Sequence, residues 1–320
     1  MQDKLIARAK ELLSEGKVKK VVGWKKGLFD DDITPAVFTT AEELDKDFVF
    51  NKNCKANLSK YLVGITKNIE IAKSTTRMNN TMAKQRDPNA AEAPIPQEVV
   101  LVFLKPADTY SFTQLLKESR ITRDDVYAIG VPCQDTVDGG NVCDNCAGKK
   151  PVSCDEYIGV DPETEVEPNA SRMDEVAKLE AMSVQERYDF WRNEFSRCIR
   201  CNACRNVCPA CTCEKCVFDN NALYTTQKVA ETNFEESLFH IIRAWHVAGR
   251  CTDCGECSRV CPQNIPLYLL NRKYIKDINE IYGEYQAGAD MESKPAMLCF
   301  EEGDPETTIV YDRSKDGGNE

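Results

Sequence analysis

Two runs of cysteines with the same spacing, C-x2-C-x2-C-x3-C, lie in the C-terminal half of the chain, and proline follows each run directly. The first run is Cys198, Cys201, Cys204 and Cys208, and the second is Cys251, Cys254, Cys257 and Cys261. A 4Fe-4S cubane needs four thiolates, and in two-cluster ferredoxins the fourth cysteine of each run ligates the other cluster. The spacing therefore predicts one cluster on Cys198, Cys201, Cys204 and Cys261, and a second on Cys251, Cys254, Cys257 and Cys208.

Two structural zinc sites are the alternative interpretation of these runs. Zinc normally takes cysteines as C-x2-C pairs, which leaves no reason for a third cysteine at the same step in each run. The complete pattern also occurs twice, so the sequence favours iron–sulfur clusters over zinc.

A third group of cysteines, Cys133, Cys143, Cys146 and Cys154, lies within 22 residues of the chain. The first of them ends a predicted strand, and the glycines at 139 and 140 allow the backbone to approach a bulky cluster. Four thiolates at this spacing predict a third 4Fe-4S site. Zinc is the alternative metal here, because the centre of the group is a single C-x2-C pair.

Five further cysteines have no assigned role in these patterns: Cys54, Cys211, Cys213, Cys216 and Cys299. The three that follow the first run could be packed thiols, alternative ligands, or ligands of an additional cluster that needs one cysteine from elsewhere. Cys54 is the candidate for that outside ligand.

The N-terminal part of the chain predicts strands that alternate with helices. Strands are predicted at 18–24, 98–104 and 125–133, and the last two are apolar runs typical of a buried parallel sheet. Helices are predicted at 3–15, 41–47, 56–72 and 112–120, and a polar loop at 78–97. Strand, helix and strand in succession indicate a βαβ unit, hence an α/β module.

The C-terminal part predicts helices only. An acidic segment at 155–171 is expected to be a linker, and helical patterns at 171–197, 234–250 and 265–282 alternate with the two cysteine runs. The predicted fold class is therefore α+β multidomain, with an N-terminal α/β module followed by an all-α helical dicluster ferredoxin domain. The predicted boundaries are 1–155 for the module, 156–285 for the helical domain and 286–320 for an acidic tail.

Charge and composition exclude several kinds of partner. The net charge of −11 argues against a nucleic-acid surface, and no apolar run is long enough to span a membrane. Clustered cysteines without an apolar N-terminal signal core predict a cytoplasmic protein in a reducing cell. Residues 288–320 carry nine acidic and three basic side chains, which predicts a solvated tail, or alternatively a docking arm.

Several charged residues and the two histidines are further candidates for a functional or structural role. Lys105, at the end of a predicted strand, is a candidate anion ligand, although a solvated lysine explains it too. His240 and His246 are expected to pack or form hydrogen bonds. Basic residues near the cysteines could raise the cluster potentials or receive an acidic partner, with solubility as the alternative: Arg197, Arg200, Arg205, Lys215, Arg250 and Arg259. No G-x-G-x-x-G or P-loop occurs.

Three stretches, "YAIGVPCQ", "CDNCAGKKPVSCDEYIG" and "FSRCIRCNACRNVCPACTCEKC", together resemble iron–sulfur subunits related to the β-subunits of F420-dependent hydrogenase and formate dehydrogenase. The resemblance covers most of residues 18–285, and the long spacer between the two runs resembles heterodisulfide reductase and succinate dehydrogenase subunits. It implies FAD beside the α/β module and exchange of hydride for single electrons. One position departs from the family. The segment at 104–109, "LKPADT", resembles a family segment that usually reads Lys-Pro-Cys, and Ala107 replaces its cysteine.

The favoured function is an iron–sulfur electron-transfer subunit of an anaerobic oxidoreductase complex, rather than a self-sufficient enzyme. Its partners would be redox subunits of a hydrogenase, formate dehydrogenase or heterodisulfide reductase-like complex. The first alternative is an FAD-containing reductase that converts hydride to single electrons. The second alternative is a zinc-stabilised interaction protein.

Overall fold

The computed structural model describes residues 1–29, 32–133, 150–159, 170–219 and 233–295, together with Met297, Cys299, Glu302 and Asp304. Within these ranges the chain combines helices with one mixed sheet, so the α+β character predicted from the sequence is confirmed. The sheet belongs to the N-terminal half, and every helix after residue 170 lies in the half that carries the cysteine runs.

The described part of the sheet has the strand order β2-β1-β3-β4-β5. Its strands are β1 (Lys20–Lys26), β2 (Ile33–Phe38), β3 (Val100–Leu104), β4 (Val126–Gly130) and β5 (Glu156–Tyr157). All neighbouring pairs are parallel except β1 with β2. All five residues of β3 are buried, as expected for a central strand with both faces covered. The strands predicted around 18–24, 98–104 and 125–133 are therefore confirmed.

Two strands of the sheet were not predicted from the sequence. Strand β2 contains Pro35, and proline argues against a strand from sequence alone; the structure places it at the edge of the sheet, where a missing N–H is tolerated. Strand β5 has only two residues, within the segment expected to be a linker, and pairs with β4. The sheet thus continues two residues beyond position 155.

Among the described residues, four helices accompany the sheet: α1 (Gln2–Ser14), α2 (Ala41–Asp47), α3 (Ser59–Arg86) and α4 (Pro106–Lys117). Helix α2 begins with a capping box between Thr40 and Glu43, which satisfies two otherwise free backbone N–H groups. Helix α4 begins six residues before the predicted start at 112, because Pro106 occupies the first turn, where its missing N–H costs nothing.

The loop prediction for 78–97 is wrong in its first half, because α3 continues to Arg86. Residues 78–86 lack an apolar stripe but consist mainly of residues that tolerate a helix. The returning chain is held against the helix by Asn80, whose amide exchanges hydrogen bonds of 2.8 and 2.9 Å with the backbone of Ala93.

The second half contains α5 (Asp174–Ala181), α6 (Val184–Ser196), α7 (Ala203–Val207), α8 (Asn233–His246), α9 (Glu256–Arg259) and α10 (Leu267–Tyr282). The single long helix predicted before the first cysteine run is in fact two helices. The break lies at Ser183, which forms a capping box with Glu186 and so starts α6 afresh. The core of this half is built largely around the cysteines, with Phe195, Phe239 and Leu267 among its buried members.

Helix α4 joins the two halves of the molecule. Ser111 Oγ lies 2.9 Å from Thr252 Oγ1, and Glu118 accepts a 2.7 Å hydrogen bond from Arg250 Nε. On the same helix, Lys117 donates a 2.9 Å hydrogen bond to Ser293 Oγ, so the start of the acidic tail also rests on α4. The chain around residue 288 runs against the backbone of Tyr110 so closely that only glycine fits.

Candidate iron–sulfur centres

The two cysteine runs fold into loops with the same backbone conformation. In the first loop the residues on either side of Cys201 have positive φ, 53° at Arg200 and 61° at Asn202. In the second loop the corresponding residues, Asp253 and Gly255, have φ of 54° and 73°. Left-handed residues within a tight turn can aim successive N–H groups inward and form a concave anion site of the kind seen in many Fe–S proteins. Duplicated spacing has therefore produced duplicated geometry.

Each loop continues into a short helix, and the two helices pack together. Cys204 lies on α7 and Cys257 on α9, while Cys208 and Cys261 follow the ends of these helices. Contact between α7 and α9 carries each fourth cysteine away from its own loop and toward the other loop. This is the arrangement that exchanged ligands require.

The first cavity is lined by all four cysteines of the first predicted set: Cys198, Cys201, Cys204 and Cys261. Its remaining walls include the apolar side chains of Phe239, Ile265 and Leu267, with His240 beside them. Three thiols from one run and the last thiol of the other thus face a common space.

The second cavity lies between the second loop and helix α4. It is lined by Cys208, Cys251 and Cys254 and by α4 residues that include Ser111 and Gln114. The fourth member of this predicted set, Cys257, is buried and lies within electrostatic range of Cys208. The crossed combination therefore recurs at the second loop.

Burial raises the pKa of several of these thiols and so favours their neutral form. Burial raises the pKa of Cys204 and that of Cys254 to about 12, and that of Cys198 to about 11. Binding of a metal centre must therefore displace protons from the thiols. Some of the sulfurs already accept hydrogen bonds, among them Cys198 Sγ from the backbone N–H of Arg200 at 3.3 Å and Cys257 Sγ from Asn271 Nδ2 at 3.4 Å.

Most of the basic residues noted in the sequence have acidic partners in the structure. Arg197 pairs with Glu194, Arg200 with Glu236, Arg205 with Asp219, Arg250 with Glu118, and Arg259 with Glu256. Their positive charges are thus balanced locally. This pairing reduces what they can add to a cluster potential or offer to an acidic partner.

Arg243 on α8, which was not predicted as a site residue, is 2 % exposed and lies within electrostatic range of cysteines of both runs. Its Nε, Nη1 and Nη2 atoms have no hydrogen-bond partner among the described residues. No spacing signal could have found it, because it is separated in sequence from both runs and occupies an ordinary helical position. The helical periodicity of α8 predicts only that position 243 faces inward.

His240 packs as expected. It is 1 % exposed and stacks on Phe195 with ring centroids 4.6 Å apart. Burial, with the nearby charges of Arg243 and Arg200, lowers its pKa to about 3. Its nitrogen, the Cys198 sulfur and a Glu236 oxygen lie within 4.8 Å of one another, but Glu236 is already paired with Arg200.

The third cysteine group is only partly described. Cys143 and Cys146 lie outside the described residues. Cys133 and Cys154 both act on Tyr157, where burial first and then the charges of these two cysteines raise the pKa to about 12. Gly130 ends β4 so close to Cys154 that an added Cβ would lie 3.1 Å from its sulfur. The first and last cysteines of the group therefore meet at the carboxyl end of β4.

The remaining cysteines differ in their surroundings. The Cys211 thiol donates a hydrogen bond to the Cys208 sulfur, which lowers the pKa of Cys208 and raises that of Cys211. Lys60 of α3 donates to the carbonyl oxygen of Cys211. Cys54 is buried in the core of the N-terminal half, and its thiol donates to Val49 O at 3.5 Å. Cys213 is exposed, whereas Cys216 and Cys299 are half-buried.

Neither sequence interpretation of Lys105 is correct. Its Nζ donates to the carbonyl oxygens of Cys54 at 2.9 Å and Lys55 at 2.7 Å, and lies 3.6 Å from Asp108 Oδ2. The ammonium group is therefore used inside the protein to fasten the segment before α3. It is neither a solvated lysine nor a ready anion ligand.

A protein-family model described as a 4Fe-4S dicluster domain matches residues 194–265, which contain both loops. The F420-dependent formate dehydrogenase subunit beta of Methanocaldococcus jannaschii is 31 % identical over 128 residues, 39 % of this chain and 32 % of that protein. The F420-dependent formate dehydrogenase 1 subunit beta of Methanococcus maripaludis is 30 % identical over 142 residues, 43 % of this chain and 35 % of that protein. The predicted relationship is confirmed. The matched segments span about a third of each relative's length.

The chain is thus an iron–sulfur protein of the 4Fe-4S type, related to oxidoreductase subunits. In the parts of the chain that the structure describes, none of the helices has the length and apolar character needed to cross a bilayer.

Proposed function

We propose that this chain is the electron-transfer subunit of a formate dehydrogenase-like complex and holds two 4Fe-4S clusters on crossed cysteine sets. Cys198, Cys201, Cys204 and Cys261 hold the first cluster, and Cys251, Cys254, Cys257 and Cys208 hold the second. A 4Fe-4S cluster supplies one-electron chemistry when bound, and the protein controls its potential through charge, burial and hydrogen bonds to sulfur. The chain itself breaks no substrate bond.

The observation that carries this proposal is the first cavity, which all four cysteines of one crossed set line together. Two loops of the same left-handed conformation and two sulfurs that already accept hydrogen bonds support the same fit. Zinc would need only two pairs of thiols and would not require the repeated third cysteine. The match to a 4Fe-4S dicluster model supports iron as the metal.

A third 4Fe-4S cluster is proposed on Cys133, Cys143, Cys146 and Cys154. Its support is the approach of the first and last of these cysteines to Tyr157 at the carboxyl end of β4. Ligands commonly bind at this edge of open parallel sheets. The proposed organisation is then a sheet module that ends just after β5, a helical dicluster domain to about residue 285, and an acidic tail.

The proposed partners are redox subunits of the same complex, in the cytoplasm. The names of the relatives support a formate dehydrogenase more directly than a hydrogenase or a heterodisulfide reductase-like protein. Surface access supports a route to a partner at the first loop, where Cys201 is exposed.

Iron and acid-labile sulfide analysis of the full chain, purified without oxygen, tests the proposal. About eight irons per chain are expected for two cubanes, and about twelve for three. Cys204→Ser should remove one electron paramagnetic resonance signal, whereas the control Cys213→Ser, at an exposed and unassigned cysteine, should retain all signals. Protein free of iron, or a Cys204→Ser variant with unchanged signals, would contradict the proposal.

The same preparation separates the alternatives. A flavin absorption band that bleaches on reduction would favour the FAD-containing reductase. Two or three zinc atoms without sulfide would favour the zinc-stabilised interaction protein.

A further inference from the structure

Arg243 places a buried positive charge in the helical half, and its guanidinium has no hydrogen-bond partner in the part of the chain that the structure describes. The side chain is 2 % exposed, and none of its guanidinium nitrogens makes a hydrogen bond within the described ranges. A guanidinium offers five N–H donors, and burying its charge without acceptors is strongly unfavourable. The described residues alone therefore leave this group unsatisfied.

Other buried arginines of the helical half are satisfied by carboxylates. Arg272 is equally buried, and its Nε donates to both oxygens of Asp253 at 2.9 and 3.1 Å. Arg200 pairs with Glu236 in the same way. Arg243 stands apart because the groups around it are sulfurs.

Four cysteines act electrostatically on Arg243. Burial works to lower its pKa, but the charges of Cys257, Cys204, Cys208 and Cys211 outweigh burial and raise it. Cys204 belongs to the first crossed set, while Cys257 and Cys208 belong to the second. Phe239 and His240, one turn earlier on α8, line the first cavity, and the guanidinium lies within electrostatic range of cysteines from both proposed sets.

We propose that Arg243 is an internal cation shared by the two clusters, which compensates their negative charge and raises both reduction potentials. The inference rests on the proposed clusters, whose four thiolates each supply negative charge to balance that of Arg243. Each electron added makes a cluster more negative, so a fixed nearby cation stabilises the reduced form.

A shared cation has a signature that a purely structural residue lacks. Because one charge acts on both clusters, its removal should move both potentials in the same direction. A change in packing alone would lower stability without a common shift of this kind.

Redox titration followed by electron paramagnetic resonance tests the inference on the anaerobically purified full chain. Arg243→Met should make both clusters about tenfold harder to reduce, a negative shift of about 59 mV for a one-electron couple. Arg243→Lys, which keeps the charge with fewer donors, should shift less. The control Arg192→Met removes the same side chain from the surface, where it pairs with Asp189, and should shift neither potential.

A second measurement needs no variant. Protein labelled with guanidino-15N arginine should show a weak 15N hyperfine coupling in the pulsed electron paramagnetic resonance spectrum of the reduced clusters. Loss of clusters in Arg243→Met with retention in Arg243→Lys would also support the need for a cation.

Unchanged potentials in a cluster-loaded Arg243→Met, a shift of only one potential, or absence of the 15N coupling in the wild type would overturn the inference. Each of these three results would leave the proposed function unaffected. Wild-type protein without iron would instead refute the proposed function, and this inference with it.

Discussion

The two cysteine loops share a backbone conformation but carry side chains of opposite charge at the same position. At the same left-handed position, the first loop has Arg200, paired with Glu236 on α8, and the second has Asp253, paired with Arg272 on α10. The cation belongs to the loop in one case and to the helix in the other. The electrostatic surroundings of the two loops therefore differ although their backbone conformation is the same.

The loops also differ in what covers them. In the first loop Cys201 is exposed and Ile199 is 54 % exposed, so this loop reaches the surface. The second loop lies against α4, through Thr252 and Arg250. This difference suggests an outer site suited to exchange with a partner and an inner site that adjoins the sheet.

The largest expected effect follows from breaking the inner ion pair. Arg272→Gln leaves the buried Asp253 carboxylate with the longer 3.7 Å contact to Arg172, and should lower the free energy of unfolding by about 3 kcal/mol. Glu236→Gln should cost less, because Arg200 keeps a 3.2 Å hydrogen bond to Glu235 O and its contact with the Phe239 ring. Anaerobic thermal unfolding measures both. The double variant Asp253→Asn/Arg272→Gln should recover part of the loss; no recovery would show that the pair is not the cause.

A smaller effect is expected where α4 holds the second loop. Glu118→Gln weakens the part-buried pair with Arg250 and should cost about 2 kcal/mol. Hydrogen exchange should accelerate in 251–257 and remain unchanged in 198–204. The matched control Glu194→Gln breaks the pair with Arg197, a more exposed neighbour of the first loop, and should leave 251–257 unaffected. Equal acceleration in both loops would remove the distinction drawn between them.

The reversed charges predict opposite shifts in reduction potential. Glu236→Gln leaves an uncompensated cation beside the first cluster and should raise its potential, whereas Arg272→Gln leaves an anion beside the second and should lower its potential. Each shift should be on the order of 50 mV. Redox titration resolves the two signals. Shifts of the same sign in the two variants would contradict the opposite charges assigned to the two loops.

The smallest effect concerns Asp108, which lies on α4 near the second loop and is 1 % exposed. Burial raises its pKa from 3.8 to about 6, with Lys105 opposing the shift. A raised carboxyl pKa favours the fold at low pH, so this contribution declines as pH rises through about 6. Between pH 5.5 and 7.5 the wild type should lose on the order of 1 kcal/mol that Asp108→Asn does not lose. Parallel thermal midpoints for the two proteins across this range would contradict it.

Much of the fold could be predicted from apolar patterns. The buried strands β3 and β4 and the helices α2 and α10 follow from continuous or periodic apolar runs. Strand β2 could not be predicted in this way, because it lies at an edge of the sheet and contains Pro35. The end of α3 could not be predicted either, because it is held by a hydrogen bond from Asn80 to a returning segment without an apolar pattern.

Within the candidate site, the cysteines were predictable and their surroundings were not. Fixed spacing identified the thiols, since a cluster needs its ligands at set intervals. The pairing of Arg200, Arg250 and Arg259 with acids from other turns or elements, and the isolation of Arg243, depend on tertiary contacts that sequence spacing does not encode.

One measurement tests the crossed assignment most directly: the number of cluster signals in two double variants. Cys204→Ser/Cys261→Ser removes two ligands of one proposed cluster, and Cys204→Ser/Cys208→Ser removes one ligand from each. The first variant should lose a single signal and keep the other intact, while the second should lose or perturb both. The reverse result, with both signals affected in the first variant and one in the second, would show that each run ligates its own cluster.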